Sequence, residues 1–250
     1  MTLKGKHAVV TGGGTGIGLA IARKLATAGC EVTITGRRKE VLEDVAGQRM
    51  HALAMDVRDE NDVIATFAEA TEARGPVHIC VANAGIAEGR ALHKTDMDFW
   101  RNMMSTNLDG AFLTIREALK TMRHEDWGRV IGISSIAGLR GLQGASCYTA
   151  TKHGLVGLIR ALSEDYLGRS ITFNALCPAY VDTPIVTRNT ASIAERAGVS
   201  EDKARDIMIS ANRHDRLIHP DEIAAAALWL VSEGSESVNG QAIEIAGGQM

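Results

Sequence analysis

Several classes of function are excluded by what the sequence lacks. It has no basic excess: 27 Lys and Arg stand against 30 Asp and Glu, a net charge of −3, so the electrostatic footprint of a nucleic-acid binder is missing. The basic residues are dispersed apart from the pair Arg37-Arg38. No apolar run approaches the roughly 18 residues expected of a membrane span, so no membrane partner is expected. The four cysteines (Cys30, Cys80, Cys147 and Cys177) and the eight histidines show no metal-ligand spacing, and no metal site is expected. All the cysteines but Cys147 fall in apolar, strand-like runs, as free thiols of a reducing compartment do. Met1 to Lys6 leads straight into a strand pattern without a signal peptide, and a cytoplasmic location is expected. With 250 residues, only four prolines, no low-complexity tract and no repeat, the chain reads as one domain spanning 1–250.

What is present is an alternation of strands and helices. His7 to Thr11 is a nearly continuous apolar run, as in a strand buried on both faces. A glycine-rich turn follows, and Leu19 to Ala26 reads as a helix that Gly29 stops. Further strands are expected at Glu31–Thr35, His51–Met55, Val77–Ala82, Arg129–Ser134, Ile171–Leu176 and Gln241–Ile245. Pro178 is expected to stop the sixth. Helices are expected at Val41–Ala46, Asp59–Ala73, Thr95–Arg123, Ala145–Leu167 and Asp221–Val231. Residues 184–215 hold polar helical pieces without a strand, and predict a lid over the substrate. The fold class is therefore α/β: a Rossmann-type, doubly wound parallel sheet of about seven strands with helices on both faces.

Two features carry chemistry. The first is Gly12-Gly13-Gly14-Thr15-Gly16-Ile17-Gly18, set between a strand and a helix. Glycines there let the backbone approach a pyrophosphate at the positive helix N-terminus. The second is Tyr148 with Lys152, four residues apart on one helix face. An ammonium beside a phenol lowers its pKa from about 10 toward working pH and makes it a proton donor or acceptor. The competing reading of that pair is a solvated face of an ordinary amphipathic helix. The Gly-rich loop, Asp56, Asn83, Ser135 and Pro178 all fall at strand C-termini, the edge where such sheets bind ligands.

These residues resemble the short-chain dehydrogenase/reductase family along the whole chain. Thr11 to Gly18 is similar to its cofactor loop and Asn83-Ala84-Gly85 to its Asn-Ala-Gly element. Asn107, Ser135, Tyr148 and Lys152 fall in the order and spacing of its catalytic tetrad, and Gly247-Gly248 resembles its terminal glycine pair. Ala82, Ala179 and Ala246 depart from the usual pattern without removing a reacting group. The resemblance implies reversible hydride transfer between a nicotinamide cofactor and a carbonyl or secondary alcohol. Tyr148 would exchange the proton, Lys152 would hold the nicotinamide ribose, Ser135 would bond the substrate oxygen, and Asn107 would hold a water toward Lys152. For Asn107 a capping or kink role stays open. The cofactor would lie on Gly12, Gly14, Thr15, Gly16, Ile17 and Gly18. Asp56 and Val57 would flank the adenine, with Asp56 on its exocyclic amine, and the segment Pro178 to Thr183, with Val181, would hold the carboxamide.

Cofactor choice turns on Gly36-Arg37-Arg38, where no acidic residue is available for the ribose hydroxyls. Arg37, with Arg38, suits a 2′-phosphate, so NADP(H) is favoured over NAD(H), against the reading of a solvated charge pair. Arg140, Gln143 and Tyr180 are candidates for the substrate pocket, the first two alternatively exposed loop residues. A 3-oxoacyl thioester or similar ketone ranks above a small hydroxy acid, because Ile136-Ala137-Gly138 offers no carboxylate-binding His. Sugar or steroid alcohols and a cofactor-binding regulatory protein without turnover remain alternatives. The resemblance further implies a homotetramer built partly from the helices at Thr95–Arg123 and Ala145–Leu167, whose apolar faces the sheet would also need.

Overall fold

In the computed structural model, residues 2–249 are described, with the backbone alone at 188, 189, 192, 193 and 195–197. Seven strands form one sheet: β1 (His7–Thr11), β2 (Glu31–Gly36), β3 (Met50–Ala54), β4 (Ile79–Ala82), β5 (Gly128–Ile133), β6 (Ile171–Pro178) and β7 (Ala242–Ile245). All pairings are parallel, in the order β3-β2-β1-β4-β5-β6-β7. The order reverses between β1 and β4, so a crevice opens beyond the carboxyl ends of those two strands.

Apolar runs in the strands bury alternate residues in two cores. Ala8, Val10, Val32, Ile34, Ile79 and Ile131 face one side with α1 (Gly16–Thr27), α2 (Lys39–Val45) and α9 (Pro220–Leu230). Val9, Cys80, Val130 and Phe173 face the other, with α3 (Glu60–Arg74), α5 (Gly110–Met122) and α6 (Ser146–Asp165). Side-chain alternation with a period of two explains why such strands read as unbroken apolar runs. The acidic start of α3 is a working cap: the Asp59 carboxylate accepts from the Asn61 and Asp62 amides at 2.9 and 3.2 Å.

Two expectations from the sequence are corrected. The single helix expected over Thr95–Arg123 is three pieces: α4 (Met97–Met104), a π-helical turn (Ser105–Asp109) and α5. The i→i+5 turn inserts one extra residue without breaking the apolar pattern, so nothing in the periodicity announces it. β6 runs two residues past the expected end at Leu176: it does stop at Pro178, but with that proline inside it as its last residue, partnered with Ile245 of β7, where a missing N–H costs little. Residues 184–215 form α7 (Pro184–Ala197) and α8 (Glu201–Ser210), in keeping with the helical pieces expected there.

Candidate active site

The glycine loop enters α1 directly from β1. Thr15 occupies the N-cap position but its side chain caps nothing, so no side chain satisfies the first-turn amides of a 12-residue helix. Gly18 is fixed by close packing, because a Cβ would strike the Gly12 carbonyl and the Asn83 side chain. The loop is clamped from β4: the Thr11 hydroxyl accepts from the Asn83 and Ala84 amides at 3.0 and 3.1 Å, and Asn83 Nδ2 donates to the Thr11 carbonyl at 2.8 Å. Asn83 thus holds the loop, while Ala84 and Gly85 line the cleft beside it.

That cleft, of about 250 Å3, runs from Gly12, Gly14 and Thr15 to Arg37, Arg38, Asp56 and Val57. Uncapped amides at one end and two exposed arginines at the other suit a ligand bearing phosphate groups. Gly110, the first residue of α5, lies against the floor: a Cβ there would come 2.7 Å from Val57 Cγ2. Ile17 is half-buried in the first turn of α1, and Gly16 sits against Thr183, whose Cγ2 would be 3.1 Å from a Cβ at that glycine. Val181 is buried and bridged to Ile218, anchoring the start of the segment that leads into α7.

The catalytic candidates gather at the ends of β5 and α6. Ser135 follows β5, is buried, and its Oγ accepts from the Ala137 amide at 3.1 Å, which leaves its proton to give. Lys152 is buried with Nζ 5.7 Å from the centre of the Tyr148 ring, and it donates to the Ile133 carbonyl at 2.8 Å. The Ser134 hydroxyl donates to the Lys152 carbonyl at 3.1 Å and ties α6 to the sheet. Asn107 lies in the π turn; its Oδ1 accepts from the Ile86 amide at 2.8 Å, and its Nδ2 donates to the Ile86 carbonyl at 2.9 Å and to Thr151 at 3.2 Å. Asn107, Lys152 and Gly85 meet, since a Cβ on Gly85 would lie 3.1 Å from Asn107 Oδ1 and 3.7 Å from Lys152 Nζ.

The electrostatics correct one expectation. Lys152 was expected to lower the Tyr148 pKa, yet burial pushes the phenol up to about 12 and a Ser135 hydrogen bond offsets this only in part. Burial also pushes Lys152 down to about 8. The ammonium is aimed at a backbone carbonyl instead of the phenol oxygen, so desolvation dominates both groups. Tyr180 stands close enough to act on Tyr148; burial raises its own pKa and Arg140 pulls it back. Its backbone is held at both ends by buried Asn212, which accepts from the Tyr180 amide at 3.0 Å and donates to its carbonyl at 2.9 Å. Gln143 is exposed on the loop before α6. Arg58 of the cleft lining, Thr151 and Asn212 are contributors that no motif in the sequence singles out, whereas Thr11 opens the glycine motif.

The whole arrangement has close counterparts. Residues 6–194 match the short chain dehydrogenase family. The chain is 33% identical over 253 residues to the 3-oxoacyl-[acyl-carrier-protein] reductase of Aquifex aeolicus, covering 98% of each. It is 32% identical over 253 residues to a D-beta-hydroxybutyrate dehydrogenase of Cupriavidus necator, again covering 98% of each. A crystal structure of an actinorhodin polyketide ketoreductase variant with NADPH superimposes with a TM-score of 0.94, at 33% identity over 97% of this chain and 96% of that one. The chain belongs to the short-chain dehydrogenase/reductase family, nicotinamide-dependent oxidoreductases acting on ketones and alcohols.

Proposed function

We propose that the protein is a ketone reductase in which Tyr148 is the proton donor, Lys152 and Asn107 position the reacting groups, and Ser135 bonds the substrate oxygen. The carrying observation is geometric: buried Ser135 and buried Lys152 flank Tyr148, with Lys152 Nζ 5.7 Å from the centre of its ring, and burial there pushes the phenol up, towards its protonated form. The residues of the glycine loop and the cleft would hold a nicotinamide dinucleotide, which when bound would supply hydride chemistry at the carbonyl carbon in either direction. The Ser135 hydroxyl donates to the carbonyl oxygen as charge develops there, and Tyr148 then gives that oxygen its proton. Lys152, still largely protonated at neutral pH with a pKa of about 8, would hold the nicotinamide ribose hydroxyls and so place the ring against the substrate carbonyl. Tyr148→Phe is expected to leave the dinucleotide dissociation constant within about twofold and to cut kcat at least ~100-fold, the scale of general acid catalysis. Turnover near wild type in this variant would sink the mechanism.

NADP(H) is the preferred cofactor in this reading, with NAD(H) as the second choice. Support comes from Arg37 and Arg38 at the cleft and from the absence of an acidic residue at the end of β2. Pro178, Val181 and Thr183 form the carboxamide side, and α7 with α8 the lid of a single catalytic domain. Measured kcat/KM with both cofactors tests the preference; a higher value with NADH overturns it.

The substrate is an uncharged ketone or 3-oxoacyl thioester. Ile136, Ala137 and Gly138, which follow Ser135, are buried and carry no group for a free carboxylate; Tyr180, Arg140 and Gln143 form the outer wall. Acetoacetyl thioesters should be reduced faster than acetoacetate, and the opposite order would favour a hydroxy-acid dehydrogenase. Self-association into a tetramer through α4, α5 and α6 is supported by Met97 and Phe112, which leave 56% and 46% of their surface exposed. Light scattering that returned a monomer would remove that assembly from the reading. A cytoplasmic location completes it.

A further inference from the structure

Past the end of β6, a side chain stands in for a neighbouring strand. The Ala179 amide still donates to the Ile245 carbonyl of β7 at 3.0 Å, and β7 ends there. Further on, the Asp182 amide donates to the Ile218 carbonyl at 2.9 Å. Between these two, Tyr180 is paired by the side chain of Asn212: Oδ1 accepts from its amide at 3.0 Å, and Nδ2 donates to its carbonyl at 2.9 Å. The Ile218 amide also reaches that carbonyl, at 3.0 Å, whereas the Tyr180 amide depends on Asn212 alone among the described residues. Nδ2 donates as well to the Arg216 carbonyl at 2.6 Å. A primary amide offers an acceptor oxygen beside two N–H donors, and here all three meet backbone in a buried setting. Asn212 lies two residues beyond α8, the second helix of the lid. Its neighbour Arg213 is tied to the tail, by its amide to the Ala246 carbonyl at 2.9 Å and by Nε to the Gln249 carbonyl at 3.1 Å. The foot of α8, the C-terminal segment and the residue beside the catalytic phenol thus share one anchor.

We propose that Asn212 is a positioning residue for substrate selection: its carboxamide fixes the backbone of Tyr180, so that the Tyr180 ring forms a set wall beside Tyr148 and limits the acyl group a ketone can carry. A residue on an irregular connection keeps backbone freedom unless its N–H and C=O are paired, and its side chain moves with it. Tyr180 and Tyr148 lie within electrostatic reach of each other, and Arg140 acts on the Tyr180 phenol. A shift of that ring therefore alters the space next to the reacting carbonyl. The inference rests on the ketone-reductase reading above and adds to it a side chain that bonds only backbone groups.

The test measures kcat and KM with the acetoacetyl, 3-oxohexanoyl and 3-oxooctanoyl thioesters of N-acetylcysteamine, for wild type and Asn212→Ala. In a shaped apolar pocket one methylene changes kcat/KM by about tenfold or more. In Asn212→Ala the kcat/KM ratio of the 3-oxooctanoyl to the acetoacetyl thioester is therefore expected to rise at least about fivefold over wild type, chiefly through KM. A smaller or opposite change overturns the proposal. So does a loss of kcat that is uniform along the series, the mark of a merely structural role. The same substitution made in Tyr180→Ala should move the ratio less than about twofold, because the wall that Asn212 sets is already gone. An equal movement in both backgrounds would place the effect elsewhere and overturn the proposal. If Asn212→Ala folds poorly, Asn212→Val fills the space without restoring the hydrogen bonds and carries the same expectations. Absence of turnover by the wild-type protein on all three thioesters, with NADPH and NADH alike, would remove the ketone-reductase reading and this inference with it. An unmoved ratio removes the inference alone.

Discussion

Tyr148 and Lys152 are displaced in opposite directions, the phenol to about 12 and the ammonium to about 8, and for both the leading cause is burial. Each is thereby pushed toward its uncharged form. For Tyr148 that form is the acid, so the ligand-free site is prepared to give a proton and poorly prepared to take one. In our reading the two reaction directions then respond differently to pH. Alcohol oxidation needs phenolate and is expected to gain about tenfold per pH unit while the solution stays below the phenol's pKa. Ketone reduction needs phenol and should change little from pH 6 to 7.5. Initial rates in both directions on one substrate pair measure this, and parallel profiles would refute it. The pairing of Tyr148 with Lys152 is legible from their four-residue spacing, and the glycine loop from its place between a strand and a helix. The direction of the phenol's shift is not, because burial depends on α4, α6 and the segment after β6 arriving at one point. Nor does the spacing of Asp56 and Arg58, two residues apart on a loop, reveal that the guanidinium donates to the carboxylate.

Between α4 and α5 the chain spends one extra residue in the π turn at Ser105–Asp109. Asn107 sits inside that turn, buried, and its amide replaces the backbone partners that Ile86 would otherwise lack. The element thus joins the loop after β4 to the helix carrying Lys152, through Thr151. Asn107→Ala would leave the Ile86 N–H and C=O without their partner in a half-buried setting and is expected to cost about 1 kcal/mol or more. The urea midpoint should fall while the m-value stays constant. An unchanged midpoint would show that the turn holds its shape without the side chain. From the sequence the strands were readable to within about two residues, because alternating apolar faces leave a signal in every strand. The π turn leaves none: five residues are too few to shift a helical period, and the low helix propensity of Asn107 is the sole hint.

Across the molecule, the two edges of the sheet behave differently. The carboxyl edge gathers the cleft and the catalytic candidates. The amino edge gathers buried imidazoles, with His7 against Thr33, the Gly75 carbonyl and His78, and with half-buried Arg74 and His51 nearby. Burial pulls His7 from 6.5 down to about 4. In the unfolded chain His7 binds its proton near the upper value, and in the folded chain only near the lower one. The unfolded state therefore holds more protons between them, and stability is lost as pH falls through that window. The shift corresponds to about 3 kcal/mol. Unfolding free energies measured from pH 7 to 4 should show this slope, and it should shrink in His7→Gln; equal slopes would absolve His7.

The clamp from Thr11 and Asn83 onto the glycine loop has a thermodynamic meaning as well as a geometric one. Hydrogen bonds within the chain hold the loop in shape without any help from a nucleotide. Association then has little backbone freedom left to remove, so affinity owes as much to disorder already given up as to contacts made. Removing the hydroxyl in Thr11→Val should weaken nucleotide binding chiefly through a more unfavourable entropy, with the binding enthalpy nearly preserved. A calorimetric loss carried by enthalpy alone would mean that the nucleotide organises its own cradle.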